Sequence, residues 1–257
     1  MKKILMALLI LLMSACTKEQ ELFIATTTSL DNSGLLEYII PYFEEETEIK
    51  VNVVAVGTGA ALQMGRDGDV DILLVHAKDL ELQFIKDGYG EKRSDIMYND
   101  FVFVGPSNLA ITNLSEALTY IYENELPFYS RGDNSGTHFK ELSLWDSVGF
   151  DVESFEDWYL ETGQGMGSTI NMANLDSKYT FTDRGTFLSM KDDLDLVIAY
   201  ENPVELINQY GVIKINPDMY DINEKNADKF YEWIISDAQS IITEYKKYGE
   251  QLFFPNA

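Results

Sequence analysis

Three stretches of this sequence join small hydroxyl or glycine residues to the expected start of a helix, a combination suited to holding an anion. They are Ala25-Thr26-Thr27-Thr28-Ser29, Val56-Gly57-Thr58-Gly59 and Ser130-Arg131-Gly132-Asp133-Asn134-Ser135-Gly136-Thr137. A helix start leaves backbone N–H groups unpaired and carries about half a positive charge. Ser and Thr hydroxyls add donors without adding charge, and glycine permits close approach of the backbone. Each helix end contributes about 0.3–2 kcal/mol, so several must converge before an anion is held tightly. Taken singly, the hydroxyls are equally well explained as ordinary N-caps and Gly57–Gly59 as a tight turn. The third stretch is more specific. Arg131 stands four residues before Ser135-Gly136-Thr137, and a guanidinium is a fixed fork of donors that matches an oxyanion. Asp133 can hold that fork in place. A surface ion pair is the ordinary explanation of such an arginine, but basic residues are scarce here: 19 Lys and Arg against 43 Asp and Glu.

Other chemistries find less support. Gly132–Gly136 faintly resembles a serine-hydrolase nucleophile segment, yet the sequence supplies no base for Ser135. His138 lies three residues further along the same expected helix, and His76 follows a strand. A nucleophile needs a base at hydrogen-bond distance. Two histidines and one cysteine do not make a zinc site. Gly163, Gly165 and Gly167 lack the preceding strand and downstream acid of a dinucleotide fingerprint. A flexible cleft turn, whose backbone adds donors together with Ser168, describes them better. No cofactor is implied. The formal net charge of −24 excludes nucleic acid as a partner, because phosphates demand a basic surface. The same charge should repel an anion, but surface charges beyond a Debye length of about 8–10 Å are largely screened. Affinity must then come from local, directed donors.

The elements that position these residues alternate. Leu22–Ala25, Lys50–Val56, Val70–Val75, Phe101–Val104, Phe128–Ser130, Lys178–Thr182, Leu194–Tyr200 and Val212–Ile215 have strand character. Helical spacing covers the apolar residues from Leu35 to Phe43, a helix starting at Ala60–Met64, and Asp79–Lys86, Ser115–Tyr122, Ser135–Val148, Arg184–Met190, Ala227–Ile235 and Ala238–Tyr248. Pro41 is expected to kink the first of these. Strand and helix in alternation predict a parallel α/β sheet, here in two lobes, with the last strand and helices returning to the first lobe. Ligands of such sheets bind beyond the carboxyl ends of the strands, which in a two-lobed arrangement is the interlobe cleft. The expected lobes are residues 22–104 with 208–257, and residues 105–207, with crossings near Val104-Gly105 and Ile207–Gly211.

The N-terminus has the parts of a secretory signal: Met1-Lys2-Lys3, the apolar run Ile4–Met13, then Ser14-Ala15-Cys16. The run is too short to span a bilayer, which takes about 20 residues. Cys16 is the only cysteine, and its position resembles the lipobox of bacterial lipoproteins, whose cysteine is acylated and becomes the mature N-terminus. Residues 1–15 are then a leader and residues 16–21 a linker. Loss of Lys2 and Lys3 leaves 17 basic residues against 43 acidic ones, a mature net charge of −26. That acidity disfavours attraction to anionic headgroups, so the membrane link rests on the acyl chain.

Across nearly the whole mature chain the sequence resembles the tungstate-binding proteins of bacterial ABC importers. The resemblance is carried by Ala25–Ser29 with Ser33–Leu36, by Val56–Gly59, Gly65–Ala77 and Met97–Phe101, and by Ser130–Thr137 with Lys140–Leu142. Trp158–Gly167, Tyr179–Phe187 and the ending Leu252–Ala257 extend it. It implies a type II periplasmic-binding-protein fold with the ligand in the interlobe cleft. It maps the oxyanion-binding residues to Thr28, Ser29, Thr58, Arg131, Ser135, Gly136 and Thr137. It also implies a monomer that serves a membrane permease from the extracytoplasmic face. Leu30 stands where the family commonly has a small polar residue, and the stretch between Pro106 and Phe128 is short.

The Arg-x-x-x-Ser-Gly-Thr spacing is similar, too, to phosphate-binding proteins of that fold, which keeps phosphate or sulfate as alternative ligands. Phosphate near neutral pH carries a proton, so its site gains from a carboxylate acceptor. Tungstate, molybdate and sulfate are fully ionised, and a carboxylate repels them. Leu73-Leu74-Val75-His76-Ala77 offers no carboxylate before Asp79, which favours the proton-free anions; Asp133 is the residue able to reverse that argument. A Cys16→Ser variant is expected to leave the membrane fraction for the soluble one, and persistent membrane association on fractionation would refute the lipid anchor.

Overall fold

The computed structural model describes residues 20–247 and 249–257; the expected leader and Cys16 lie outside them. Among the described residues no helix is long and apolar enough to cross a membrane. The chain begins β1 (Glu21–Thr27), α1 (Thr28–Ser33), α2 (Leu35–Thr47), β2 (Lys50–Val56), α3 (Thr58–Asp67), β3 (Ile72–Val75) and α4 (Lys78–Lys86). A long strand, β4 (Gly90–Gly105), leads to α5 (Leu114–Glu123), β5 (Phe128–Ser130), α6 (Gly136–Ser147), β6 (Tyr159–Glu161) and α7 (Met166–Asp176). Then come β7 (Tyr179–Asp183), α8 (Arg184–Met190), β8 (Val197–Glu201), β9 (Ile207–Ile215), α9 (Glu224–Ile235) and α10 (Ala238–Glu244). Three short strands, β10 (Lys246–Lys247), β11 (Glu250–Gln251) and β12 (Phe254–Pro255), end the chain.

The main sheet runs in the order β2-β1-β3-β9-β4-β7-β5-β6, with β8 and β12 also paired to β4. β1 is parallel to β2 and β3, and β5 is parallel to β6 and β7. Within each of these groups the expected parallel pairing is present. Between them it is not: β9 is antiparallel to β3 and β4, and β4 is antiparallel to β7 and β8. β4 carries the chain from one half to the other and β9 carries it back, so two strands crossing one boundary in opposite senses pair antiparallel. β4 changes partner inside its own length. Asp100 pairs with Ile207 of β9, whereas Phe101 pairs with Asp183 of β7.

The first part of β4, Gly90–Asp100, was not expected as strand because its residues are mostly polar. It is held by partners distant in sequence. Arg93 Nε donates to Glu81 at 2.7 Å, and Lys92 Nζ sits 4.2 Å from the Tyr231 ring centroid. β6 and α7 also went unanticipated; both are short of clear apolar periodicity. α2 continues through Pro41, which is exposed.

Among the described residues three buried clusters pack on the crossing strands, the largest of them including Leu22, Ile24, Phe43, Val104, Val212 and Phe230; the other two differ in kind. On one side Ala61, Leu62, Leu73, Val75, Phe84 and Ile213 form a mainly aliphatic cluster under α3 and α4. On the other, Phe101, Phe103, Phe128, Trp145, Phe181 and Tyr200 build an aromatic one. Phe103 is fully buried and its ring lies 4.9 Å from Phe181 and 6.2 Å from both Phe128 and Tyr200. Phe103→Ala is therefore expected to lower the unfolding free energy by about 3–5 kcal/mol, read from urea denaturation; a loss below about 1 kcal/mol would mean that this core relaxes around the gap.

Candidate anion site

Parallel pairing puts the ends of three strands at one edge. Thr27 is in register with Val56, and Thr26 with Leu74, so α1, α3 and the His76 segment all leave the sheet together. α6 leaves β5 on the facing side. Between them lies a cavity of about 190 Å³ lined by Thr28, Ser29, Thr58, Arg131, Ser135, Gly136 and Thr137. All seven residues singled out from the sequence thus meet in one place. Thr27, Val56, Gly57, His76, Asp133 and Asn134 complete the lining.

Their local roles differ. Thr27 caps α1, its hydroxyl accepting from Leu30 N at 3.3 Å, and Ser135 caps α6, accepting from His138 N at 3.3 Å. Gly57 starts α3 without any side-chain cap. The close approach expected of the glycines is required at Gly136: a methyl there would meet Thr58 Oγ1 and His76 Cε1, each at 3.1 Å. Added atoms at Gly57 or Gly59 would meet nothing within 4 Å, so those two glycines are not demanded by contact. Gly132 is demanded, with φ +60° and Glu161 Cβ only 2.5 Å from where its own Cβ would stand.

Arg131 is buried and clamped. Asp133 Oδ2 accepts from Arg131 Nε at 3.1 Å and Nη2 at 2.5 Å, while Asp133 Oδ1 accepts from Ser135 N at 3.2 Å. Burial pushes the Asp133 carboxyl up, but the Ser135 hydroxyl and the Arg131 guanidinium outweigh it and hold it below the ordinary range. The carboxylate is ionised, and both of its oxygens are engaged in shaping the loop. His138 supports the same loop, accepting from Asn134 N through Nδ1 at 3.1 Å. Ser135 Oγ meets the backbone N–H of His138 and not its ring.

His76 is the lining residue that the sequence left unassigned. Its Nε2 lies 3.2 Å from Ser29 Oγ, and its Nδ1 lies 2.9 Å from Asn208 Oδ1. Tyr210 stacks on the ring with centroids 4.8 Å apart. Burial lowers its pKa; Asn208 and the charge of Asp183 work against that shift, and the charge of Arg131 reinforces it. Nothing local in Leu73–Ala77 marks this role, because Asn208 comes from a strand 132 residues further on.

Beneath Arg131 is a second buried polar cluster. Glu141 accepts from Tyr159 OH at 2.7 Å, Ser130 Oγ at 2.9 Å and Trp145 Nε1 at 3.3 Å. Burial pushes its carboxyl up to about 7 against those three donors. A larger cavity of about 390 Å³ adjoins the anion site through Thr28, Ser29 and Arg131 and reaches Gly165, Gly167 and Ser168. Gly165, Gly167 and Ser168 of the glycine run therefore line this cavity, and Gly163 is not among its lining residues.

A mixed sheet shared by two α/β lobes, with strand-to-helix junctions facing a cleft from both sides, defines the periplasmic-binding-protein class, and residues 14–238 match the family described as a PBP superfamily domain. The tungstate-binding protein TupA of Peptoclostridium acidaminophilum is 51% identical over 92% of this chain and 86% of its own length. The solved TupA from Desulfovibrio alaskensis G20 superposes with a TM-score of 0.83 at 44% identity, covering 92% of this chain and 99% of that one. The solved tungstate ABC transporter protein from Geobacter sulfurreducens does so at 0.80 and 43%, over 89% and 100%. The chain belongs to the PBP superfamily and, within it, to the family of the TupA proteins.

Glu141 generates a pH-dependent stability. Its folded pKa of about 7 lies above the ordinary 4.5, so the native state retains a proton that the unfolded chain releases. The stabilisation is complete below 4.5 and is lost as pH rises towards about 7, by at most about 1.4 kcal/mol per unit. Glu141→Gln, which keeps the shape and cannot ionise, should flatten this slope in urea titrations between pH 4.5 and 7.5. An unchanged slope would assign the dependence to another group.

Proposed function

We propose that this protein is the extracytoplasmic binding component of an ABC importer, and that it captures tungstate, with molybdate as the close analogue, and presents it to a membrane permease. The observation that carries the reading is the convergence of three helix starts, six hydroxyl side chains (Thr27, Thr28, Ser29, Thr58, Ser135 and Thr137) and one clamped guanidinium on a single small cavity. Hydroxyls and backbone N–H groups satisfy a dianion without a counter-ion for every charge, and in a water-poor cleft each such bond is strengthened. The site residues in this reading are Thr28, Ser29, Thr58, Arg131, Ser135, Gly136 and Thr137. The lobes are residues 22–104 with 208–257, and residues 105–207. The anion docks on one lobe, the other closes over it, and the closed form is what the permease recognises, a population shift driven by the ligand's preference for that form. Export, acylation at Cys16 and a monomeric state complete the proposal, which involves no catalysis and no cofactor.

Asp133 separates this ligand class from phosphate. An ionised carboxylate whose oxygens are occupied by Arg131 and Ser135 is a brace for the fork rather than an acceptor waiting for a ligand's proton, which supports the proton-free anions. Isothermal titration with tungstate, molybdate, sulfate and phosphate in turn tests the reading. One-to-one binding of tungstate with weak or absent phosphate binding is expected, and Arg131→Ala should weaken it by about 30-fold or more, the equivalent of at least about 2 kcal/mol for a buried charged donor. Preferred phosphate binding would move the protein to the phosphate importers. Unchanged affinity in the Arg131 variant would remove that residue from the site.

A further inference from the structure

His76 lines the anion cavity and is buried, yet capture of a dianion by hydroxyls, N–H groups and Arg131 has no need of an imidazole. Its tautomer is set from behind. Asn208 donates through Nδ2 to Asn99 Oδ1 at 2.7 Å and to the Tyr210 hydroxyl at 3.3 Å. The Asn208 Oδ1 that meets His76 Nδ1 at 2.9 Å is therefore the acceptor, and Nδ1 carries the hydrogen. Tyr210, stacked on the ring, resists its turning. The remaining nitrogen, Nε2, is the position that can gain or lose a proton, and it faces Ser29 Oγ at 3.2 Å.

A hydroxyl has a single hydrogen to give. While Nε2 is bare, Ser29 satisfies it by donating to it, and then turns only lone pairs towards the cavity, the wrong polarity for an anion. Once Nε2 is protonated it donates to Ser29 Oγ; Thr27 Oγ1, 3.1 Å away, can donate its own hydrogen to the same oxygen, so the Ser29 hydrogen is released to the ligand. We propose that His76 is a specificity-determining residue of the anion site, taking up one proton from solvent at Nε2 as a fully ionised oxyanion binds and thereby turning Ser29 into a donor to that anion. The proposal rests on the oxyanion reading above. No covalent bond to the ligand is made or broken; the proton moves from water or buffer to the imidazole, and returns when the anion leaves.

The surroundings agree with this cycle. The groups set against His76 from α1, α6 and β9, namely Ser29, Gly136, Tyr210 and Asn208, are uncharged, and Lys78, Asp79 and Lys140 line a neighbouring cavity that His76 shares. Of the charged groups acting on the ring, Arg131 opposes protonation and Asp183 favours it, while burial keeps the unliganded imidazole neutral at neutral pH. Two negative charges arriving beside Arg131 more than cancel its single positive one. An anion that brings its own hydrogen can donate it to Ser29 Oγ and needs no such uptake, so the proton count distinguishes the two ligand classes.

By linkage, affinity is level where the unliganded His76 is already charged, below the ordinary imidazole value of 6.5. It falls by up to tenfold per pH unit until the liganded imidazole also titrates, and is level again above that. Tungstate titrations of the purified protein from pH 6 to 9, in buffers of different ionisation heat, count the protons taken up per anion. Uptake approaching one proton, with that slope, is expected, and His76→Gln should abolish both. Nitrogen-15 spectra of the wild-type protein at pH 7.5 give a reading independent of any variant, since the chain has only two histidines. One of them, identified as His76 through the variant or by its contact with Tyr210, should pass from singly to doubly protonated when tungstate is added. Tungstate binding without proton uptake, or a change confined to His138, would overturn the proposal and leave the oxyanion reading standing. Absence of tungstate binding at every pH would overturn both.

Discussion

Taking a small dianion out of water into a protein of net charge −24 is the constraint on which the rest of this structure depends. The long-range field is unfavourable, so stabilisation has to come from hydrogens held within a few ångströms of the ligand. In the proposed site two features would supply it. Parallel strands deliver the unpaired N–H groups of successive helix starts to one edge, and a single guanidinium is fixed in place by its own carboxylate. A freely moving arginine would lose more side-chain entropy on holding a ligand; the Asp133 bonds and the burial of Arg131 fix this one during folding.

The antiparallel pair β4 and β9 makes the two-sided arrangement possible. Because both strands pass from one half to the other, the halves are joined through paired strands of one sheet. The pair also carries polar residues into the interior. Asn99 on β4 and Asn208 on β9 bond to one another, and Asn208 reaches His76, so one lining residue of the cavity is held from behind by the strands that cross between the halves. Glu141 plays a comparable part on the other side, tying Ser130, Trp145 and Tyr159 together beneath the turn that presents Arg131.

Much of this was legible from residue types and short spacings. Arg131, Ser135, Gly136 and Thr137 lie within seven residues of one another, Thr28 and Ser29 follow an apolar strand directly, and Thr58 sits between two glycines. Helix starts are local events, set by caps and by the end of apolar alternation, so these segments could be found without knowing what they face. The strands Phe128–Ser130 and Lys50–Val56 and the helix Arg184–Met190 were placed at their observed limits for the same reason. The polar first part of β4 was not, because its partners Glu81, Tyr231 and Lys214 come from distant segments.

By itself, then, the sequence determined the alternating α/β elements, seven of the residues that line the cavity and the scarcity of competing cations. Each of these is written in neighbouring residues and in overall composition. Only the tertiary structure decided that the junctions of the two halves face one another and that Asp133 braces Arg131 with both oxygens. It alone decided that the sheet is mixed and that His76 joins the site. Those outcomes depend on contacts between residues far apart in the chain, such as His76 with Asn208 and Gly136 with Thr58, and no local pattern encodes a distance of that kind.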